Sequence, residues 1–317
     1  MSFDFDAAVQ APHRMQPGLR RLPAGAPQLT PSGAAQRDRA RHLREKLAVL
    51  GAFAPQALLC APGFDPGPAL AALAHHAAAE HPEAWALDGP RWQARGLGWA
   101  LGADLQPQDI GSAWPEIGSL LRQTPADWRR AVLLSLAFEE DFAVLDAASG
   151  TLPWLAVALP SMWAPETKLG LPFADVHAPV ADNRLIVGAA PHLVRLVTGG
   201  ERWERFVWTI SPHPRLHAHP DRVDPARWPV GLSDDALAAQ AWWRTERQTF
   251  IPAPGAGQAV FTIHVQLTPL AQALHGAGQA QRLHAALASM SDAVLHYRGL
   301  ASVQAPLLRW LACRARP

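Results

Sequence analysis

The residues able to do chemistry fall into four short segments of this 317-residue chain. In Phe173–Val180, His177 follows a Gly-Leu-Pro turn and precedes Pro179, which places it in a constrained loop rather than on a helix face. A fixed imidazole suits an axial metal ligand, because rotation of the ring would break the bond; an ordinary loop histidine has the same local sequence. Ser211–Pro220 carries His213, His217 and His219. In an extended segment His217 and His219 share a face, so the pair could bind a metal, but no carboxylate or Cys at ligand spacing completes a site. In Trp243–Thr249, Arg244, Glu246 and Arg247 sit inside a strand-like run. Charges there must be paired or face a cavity. Alternation puts Arg244 and Glu246 on one face and Arg247 on the other. A guanidinium is the natural partner of a carboxylate-bearing ligand; a structural ion-pair network is the alternative. Finally, Glu139, Glu140 and Asp141 follow Phe138 between two apolar runs. One of these acids could face a pocket and bind a cationic amine, or all three could form a hydrated turn.

The elements that position these segments follow from spacing and punctuation. Residues 1–33 are rich in Pro, Gly and basic side chains and read as an extended N-terminal arm. A helix is expected from Ala34 to Leu50, ended by Gly51, and a second from Pro68 to Glu80, where His75 and His76 are structural. Short apolar runs over Ala131–Ala137, Phe142–Leu145 and Thr151–Leu159 read as strands, the last two joined by an Asp-Ala-Ala-Ser-Gly turn. Arg205–Ile210 is a further strand. So are Trp242–Phe250 and Ala259–Leu267, joined by the turn at Pro252–Gly257. Leu270–Leu300 has helical spacing, and Gln304–Cys313 closes the chain as a short helix. Strands in runs rather than in strict alternation with helices predict an α+β fold with an antiparallel sheet. No linker splits residues 34–317, which read as one domain.

Composition removes several functions. Net charge is +1, so no electrostatic field favours nucleic acid or an anionic membrane. No apolar run approaches the ~20 residues that span a bilayer, and the acid-containing start is not a secretory signal; a cytoplasmic location is the expectation. With only Cys60 and Cys313, a disulfide framework, a CxxC zinc site and an iron–sulfur cluster are not expected. No G-x-G-x-x-G follows a strand, and Walker, H-E-x-x-H and G-x-S-x-G motifs are missing. Any electrons must therefore come from another protein. The 13 Trp residues against one Tyr suit cores, interfaces and the walls of flat-cofactor pockets. With the Pro-rich arm, they leave room for self-association or partner docking.

The order of these segments resembles the haem-dependent oxidative N-demethylase family. Trp243–Pro252 followed by Ala259–Ile263 is similar to its R-x-E-R-Q-T-L-x-R-L-P and A-V-x-F-T-I blocks. Glu140–Asp141 stands at its E-D pair, Pro160–Trp163 with Lys168–Gly170 at its P-S-x-W…K-x-G block, and Val176–Val180 at its I-H-x-P-V-P segment. Tyr297–Gly299 resembles Y-K-G, and Met15–Leu19 an M-x-M-G-L start. The resemblance implies a PAS-like antiparallel sheet with flanking N- and C-terminal helices, binding haem b. It also implies oxidative N-demethylation of a small alkylamine by dioxygen to amine and formaldehyde, with electrons from a separate flavin and iron–sulfur reductase. Within it, His177 becomes the iron ligand and His217 the second choice. Arg244 and Arg247 become partners of the haem propionates, Glu246 a residue that orients one of them, and Glu140 or Asp141 the binder of the amine. Three positions depart from the pattern. Ala181 replaces the second Pro after the His block, Ile251–Pro252 is all that remains of R-L-P, and His264-Val-Gln266 stands in place of R-T-Y. A haem-binding or gas-sensing module without turnover is the alternative reading.

Overall fold

The strands expected over residues 242–250 and 259–267 become the centre of a seven-stranded antiparallel sheet. The structure is a computed structural model describing residues 3–33 and 40–316, and at residue 254 the backbone alone. Along the chain the elements are α1 (Phe5–Ala8), β1 (Arg20–Arg21), α2 (Arg41–Ala57), β2 (Leu58–Cys60), α3 (Gly67–Glu80), β3 (Ala86–Asp88), β4 (Arg91–Ala94), β5 (Trp99–Leu101), β6 (Pro107–Asp109), α4 (Pro115–Gln123), α5 (Arg129–Ala137), β7 (Asp141–Asp146), β8 (Thr151–Ala156), α6 (Phe173–Val176), α7 (Arg184–Thr198), β9 (Trp203–Ser211), α8 (Asp234–Gln240), β10 (Trp242–Ala253), β11 (Gln258–Pro269), α9 (Leu270–Ala273), α10 (Ala277–Ala288), α11 (Asp292–Tyr297) and α12 (Gln304–Arg314). The large sheet has the order β1-β9-β10-β11-β7-β8-β2, and a small sheet runs β3-β4-β5-β6. The fold is thus mixed helix and antiparallel sheet.

Register fixes which side chains share a face. Arg244 lies opposite Thr209 and Leu267, Glu246 opposite Val207 and Val265, and Gln248 opposite Arg205 and Ile263. Directly opposed residues point the same way, so the even positions of β10 and their partners form one surface. On the other surface, Arg247 faces His264 and Phe206. That side is covered by α2–α5 and the small sheet, through a core containing Leu43, Leu73, Phe142, Trp154 and Val260. The first side packs Val194 and Val197 of α7 on Leu145, Leu155 and Phe250. A third cluster joins Trp208 and Trp243 to the C-terminal helices and to Phe5 and Val9 of the arm. Ser233 and Ser291 cap α8 and α11 by accepting from the N–H groups of Ala236 and Val294.

Several expectations are corrected. Ala131–Ala137 is helical, not a strand: every side chain from Ala131 to Ala137 is buried, and a segment buried all round carries no period. Residues 34–39 lie outside the described residues, and Gly51 does not end the first helix. The helical geometry of α2 breaks at Phe53 (φ −135°, ψ 26°), where Pro55 has no N–H to return to residue 51. Between the helix over Pro68–Glu80 and Ala131 no strand is expected, yet the small sheet β3–β6 is inserted at residues 86–109. The stretch 270–300 is three helices, interrupted at Gly276 (φ 111°) and Ser291. The arm lies on its own sheet. Gln28 donates to Thr249 Oγ1 and Phe250 O, and the Glu80 carboxylate accepts from the N–H groups of Gln28 and Leu29. Among the described residues no helix is long and apolar enough to cross a membrane.

Candidate functional site

The even face of β10 floors a cavity of about 610 Å³, within the roughly 300–1,000 Å³ of small-molecule and cofactor sites. Arg244, Glu246, Gln248 and Phe250 all line it, together with Arg205 and Val207 of β9 and Phe261 and Ile263 of β11. The connection from Ser161 to Val180 forms the roof, with Ile186 of α7, and Tyr297 and Arg298 close one end. The walls are mostly apolar and include Trp163, Phe173 and Trp208. Their charges are unequal: Lys168, Arg205, Arg244 and Arg298 against Glu246 alone.

His177 reaches the cavity from the roof. It directly follows the single turn α6, so the expected loop is a helix end. Its Nδ1 lies 2.8 Å from the carbonyl oxygen of Phe173, an acceptor only, so Nδ1–H donates and Nε2 keeps its lone pair. Burial, with Arg205 and Lys168 adding to it, pushes the imidazole down to about 4 despite the Phe173 bond. The ring is therefore neutral near pH 7. Asn183 Nδ2 donates to the carbonyls of His177 and Ala178, and Lys168 Nζ to that of Val176, which fixes the turn. A neutral imidazole held through its other nitrogen by a carbonyl is the arrangement of a metal-ligating histidine.

The arginines divide into committed and uncommitted groups. Arg244, 1% exposed, donates Nε to Ser161 Oγ, Nη1 to Arg215 O, and Nη2 to Leu216 O and Pro160 O. Burial lowers its guanidinium to about 10, which still leaves it a cation. It ties β10 to the roof and to the His213–His219 loop. Arg205 is different. Its Nε is buried with no hydrogen-bond partner, and the residue lines the cavity. Desolvation lowers its pKa, opposed by Glu246. Arg298 donates Nη1 to Trp208 O, lies 5.3 Å over the Trp208 ring, and leaves Nε unpartnered. Glu246 accepts from Gln248 Nε2 through one oxygen.

Of the residues singled out from sequence, the cavity gathers His177, Arg244 and Glu246. Arg247 points to the opposite face, where it donates to Glu204 (2.9 Å) and to Pro27 O of the arm; it braces the arm rather than the cavity. His217 lies outside the lining. Its Nδ1 bonds Ala158 O at 2.7 Å and its ring stacks on Phe53. His217 and His219 do stack on each other, but the carboxylates near His219 are Glu166 and Asp221. Glu140 and Asp141 do not line this cavity, and being buried they form no hydrated turn, which corrects that expectation. Both are fully buried: Asp141 accepts from Leu159 N and pairs with Lys46 Nζ at 3.3 Å, and Glu140 accepts from Thr30 N. Lys46 also donates to the carbonyls of Ser135, Phe138 and Glu140.

Arg205 and Arg298 were missed from sequence. The charge opening the apolar run Arg205–Ile210 and the central residue of the Tyr297–Gly299 block were the available signals. The model of one family, described as haem-dependent oxidative N-demethylase, alpha subunit-like, matches residues 115–308. That span contains all the residues named above as lining the cavity.

Proposed function

Because the match covers more than half of the chain, which therefore belongs to the haem-dependent oxidative N-demethylase, alpha subunit-like family, we propose that the cavity holds haem b and that the chain is the haem subunit of an oxidative N-demethylase acting on a small alkylamine. The observation that carries this reading is the pairing, in one apolar cavity, of a neutral His177 Nε2 with a cationic wall. Haem offers an iron for the first and two carboxylates for the second, and Arg205 Nε, now without a partner, is a donor for them. The five strands β8-β7-β11-β10-β9 stand in the order second, first, fifth, fourth, third of their sequence, with α6 and α7 between second and third. That arrangement supports a PAS-like reading of the sheet.

When bound, haem supplies the dioxygen chemistry that no side chain of the cavity offers. The net reaction consumes an N-methyl amine, dioxygen, two electrons and two protons, and releases the demethylated amine, formaldehyde and water. The alpha-subunit description supports a partner subunit, and a flavin and iron–sulfur reductase is the electron source we assign. This chain's own residues have three tasks. His177 would hold the haem iron through Nε2, its ring kept in place by the Nδ1–H bond to Phe173 O. Arg205 and Arg298 hold carboxylates. Glu246 is the acid on the cavity wall, and the oxygen not used by Gln248 accepts from the alkylammonium N–H. The apolar roof around Trp163 and Phe173 keeps water from the reacting carbon.

The test is amine-dependent consumption of dioxygen with stoichiometric formaldehyde release by haem-loaded protein and a competent reductase. Glu246→Gln should keep the haem spectrum and raise KM for the amine about tenfold or more, the loss of a charged hydrogen bond of about 1.5–3 kcal/mol. Haem retained with no amine-dependent turnover would contradict the catalytic assignment and favour a sensing module.

A further inference from the structure

We propose a second metal site on the opposite face of the sheet, in which His42, Glu139 and His264 bind one divalent transition ion of the zinc class. The three side chains come from α2, from the α5–β7 connection and from β11, and their ligand atoms all lie within 4.8 Å of one another. His264 Nε2 is 2.9 Å from Glu139 Oε2, and His42 Nδ1 is 3.4 Å from the same oxygen. A tetrahedral ion with bonds of about 2.0–2.2 Å has ligand–ligand edges of roughly 3.3–3.6 Å, so small adjustments suffice to centre one among them.

The hydrogen bonds around the cluster point the same way. His42 Nε2 lies 2.7 Å from Val265 O, which can only accept, so Nε2 carries the hydrogen and Nδ1 presents a lone pair to a carboxylate. A lone pair facing a carboxylate at 3.4 Å is bridged by a proton or by a metal ion, and the short reach to a second imidazole at His264 gives the metal its further ligand. His264, 3% exposed, turns its Nδ1 towards Glu140 Oε1 at 3.6 Å. That oxygen is buried and has no hydrogen-bond partner, while Oε2 of the same residue is held by Thr30 N–H. His42 thus has a carbonyl hydrogen-bonded behind it, and His264 has a carboxylate oxygen 3.6 Å behind it that a small shift would engage; ligating histidines are oriented by such acceptors. The nearby Lys46 ammonium acts on Glu139 and Glu140 only at a distance, its direct contacts going to Asp141 and three carbonyls.

Two imidazoles and one carboxylate select zinc-class ions over magnesium or calcium, which take oxygen ligands. His42 and Glu139 keep 12% and 17% of their side-chain surface exposed, so solvent reaches the fourth position. His264 lies opposite Arg247, on the surface away from the cavity, and this site does not depend on haem binding. It also gives the departure at His264 a purpose: a histidine replaces the arginine of the resembled pattern and brings a ligand to the Glu139 carboxylate.

The experiment is equilibrium dialysis of the tag-free chain against ZnCl2 after chelator treatment, read by elemental analysis, which counts zinc and haem iron separately. Wild type should bind one zinc per chain and gain thermal stability with it. His42→Ala and Glu139→Gln should fold, as judged by circular dichroism, and lose zinc. Glu140→Gln should weaken it roughly 10–100-fold. His219→Ala, which removes the Glu166–His219–Asp221 group, should bind as wild type does. No stoichiometric zinc in wild type, wild-type affinity in His42→Ala and Glu139→Gln, or zinc lost in His219→Ala would each overturn the assignment.

Discussion

The Nδ1 of His177 lies 2.8 Å from the carbonyl oxygen of Phe173, one helical turn behind it, and this bond determines which ring nitrogen meets the cavity. A ring held this way, among Phe173, Val176 and the apolar roof, pays for its position in proton affinity.

That cost predicts a pH dependence. Burial lowers His13, His177 and His213 to about 4 each, against 6.5 when unfolded. Between those values the unfolded chain binds more protons than the folded one, so stability rises with pH. The contribution is complete above about pH 6.5 and is lost as the solution is acidified towards pH 4. Each histidine contributes a slope of up to about 1.4 kcal/mol per pH unit in that window. Urea unfolding of the haem-free protein at pH 5 and pH 7 should show it, and His213→Gln should flatten it. A flat profile would contradict the neutral assignment of all three rings.

Arg205 and Arg244 line the same cavity, yet they should respond oppositely to removal. Arg244 satisfies a hydroxyl and three carbonyls, so Arg244→Met strands several buried acceptors at roughly 1–3 kcal/mol each. Arg205 is desolvated with an unpartnered Nε, so Arg205→Met should leave the haem-free chain equally or more stable, while weakening haem retention. Thermal melts with and without haem separate the two effects. A large destabilisation of haem-free Arg205→Met would show that the residue has a structural role.

Lys46 is the counterion for a buried acidic pair reached across the fold. Lys46→Met leaves Asp141 and Glu140 uncompensated and should cost about 3–5 kcal/mol. Adding Asp141→Asn should recover part of that loss in urea unfolding. A double variant no better than the single one would mean that the three carbonyls, not Asp141, are the partners that matter.

Gly299 positions Arg298 at the end of the cavity. Its φ is +68°, and a Cβ there would meet Pro225 O at 2.5 Å, a backbone atom with no freedom to move. Gly299→Ala should destabilise the chain by about 1–3 kcal/mol and weaken haem retention together with stability. Unchanged melting would contradict the rigidity of this corner.

The β10–β11 hairpin was legible from two apolar runs around a Pro- and Gly-rich turn, and the alternation of the first run put Arg244, Glu246 and Gln248 on one face; which face meets the cavity was not legible, since Arg247 on the other face was expected to serve the cofactor too. What escaped was set by distant partners. Glu140 and Asp141 look like a hydrated turn or a pocket edge until Lys46, from a helix far back in the chain, is placed against the Asp141 carboxylate and the Glu140 carbonyl. Ala131–Ala137 carries no period because burial surrounds it, and α7 went unread with Pro191 inside an otherwise amphipathic run. His177 was found by the block around it, whereas its tautomer and its low proton affinity depend on Phe173 O and the surrounding walls. His42, Glu139 and His264 share no sequence spacing at all and meet only through the register of β11 against α2 and β7.

The central claim is that His177 holds haem in this cavity. Titration of the purified haem-free chain with hemin, followed in the Soret region, tests it most directly. Wild type should bind one haem per chain with a histidine-ligated spectrum, and His177→Ala, still folded by circular dichroism, should lose that spectrum, with imidazole added to the solution restoring it. An unchanged Soret band in His177→Ala, or no stoichiometric haem in wild type, would contradict the account.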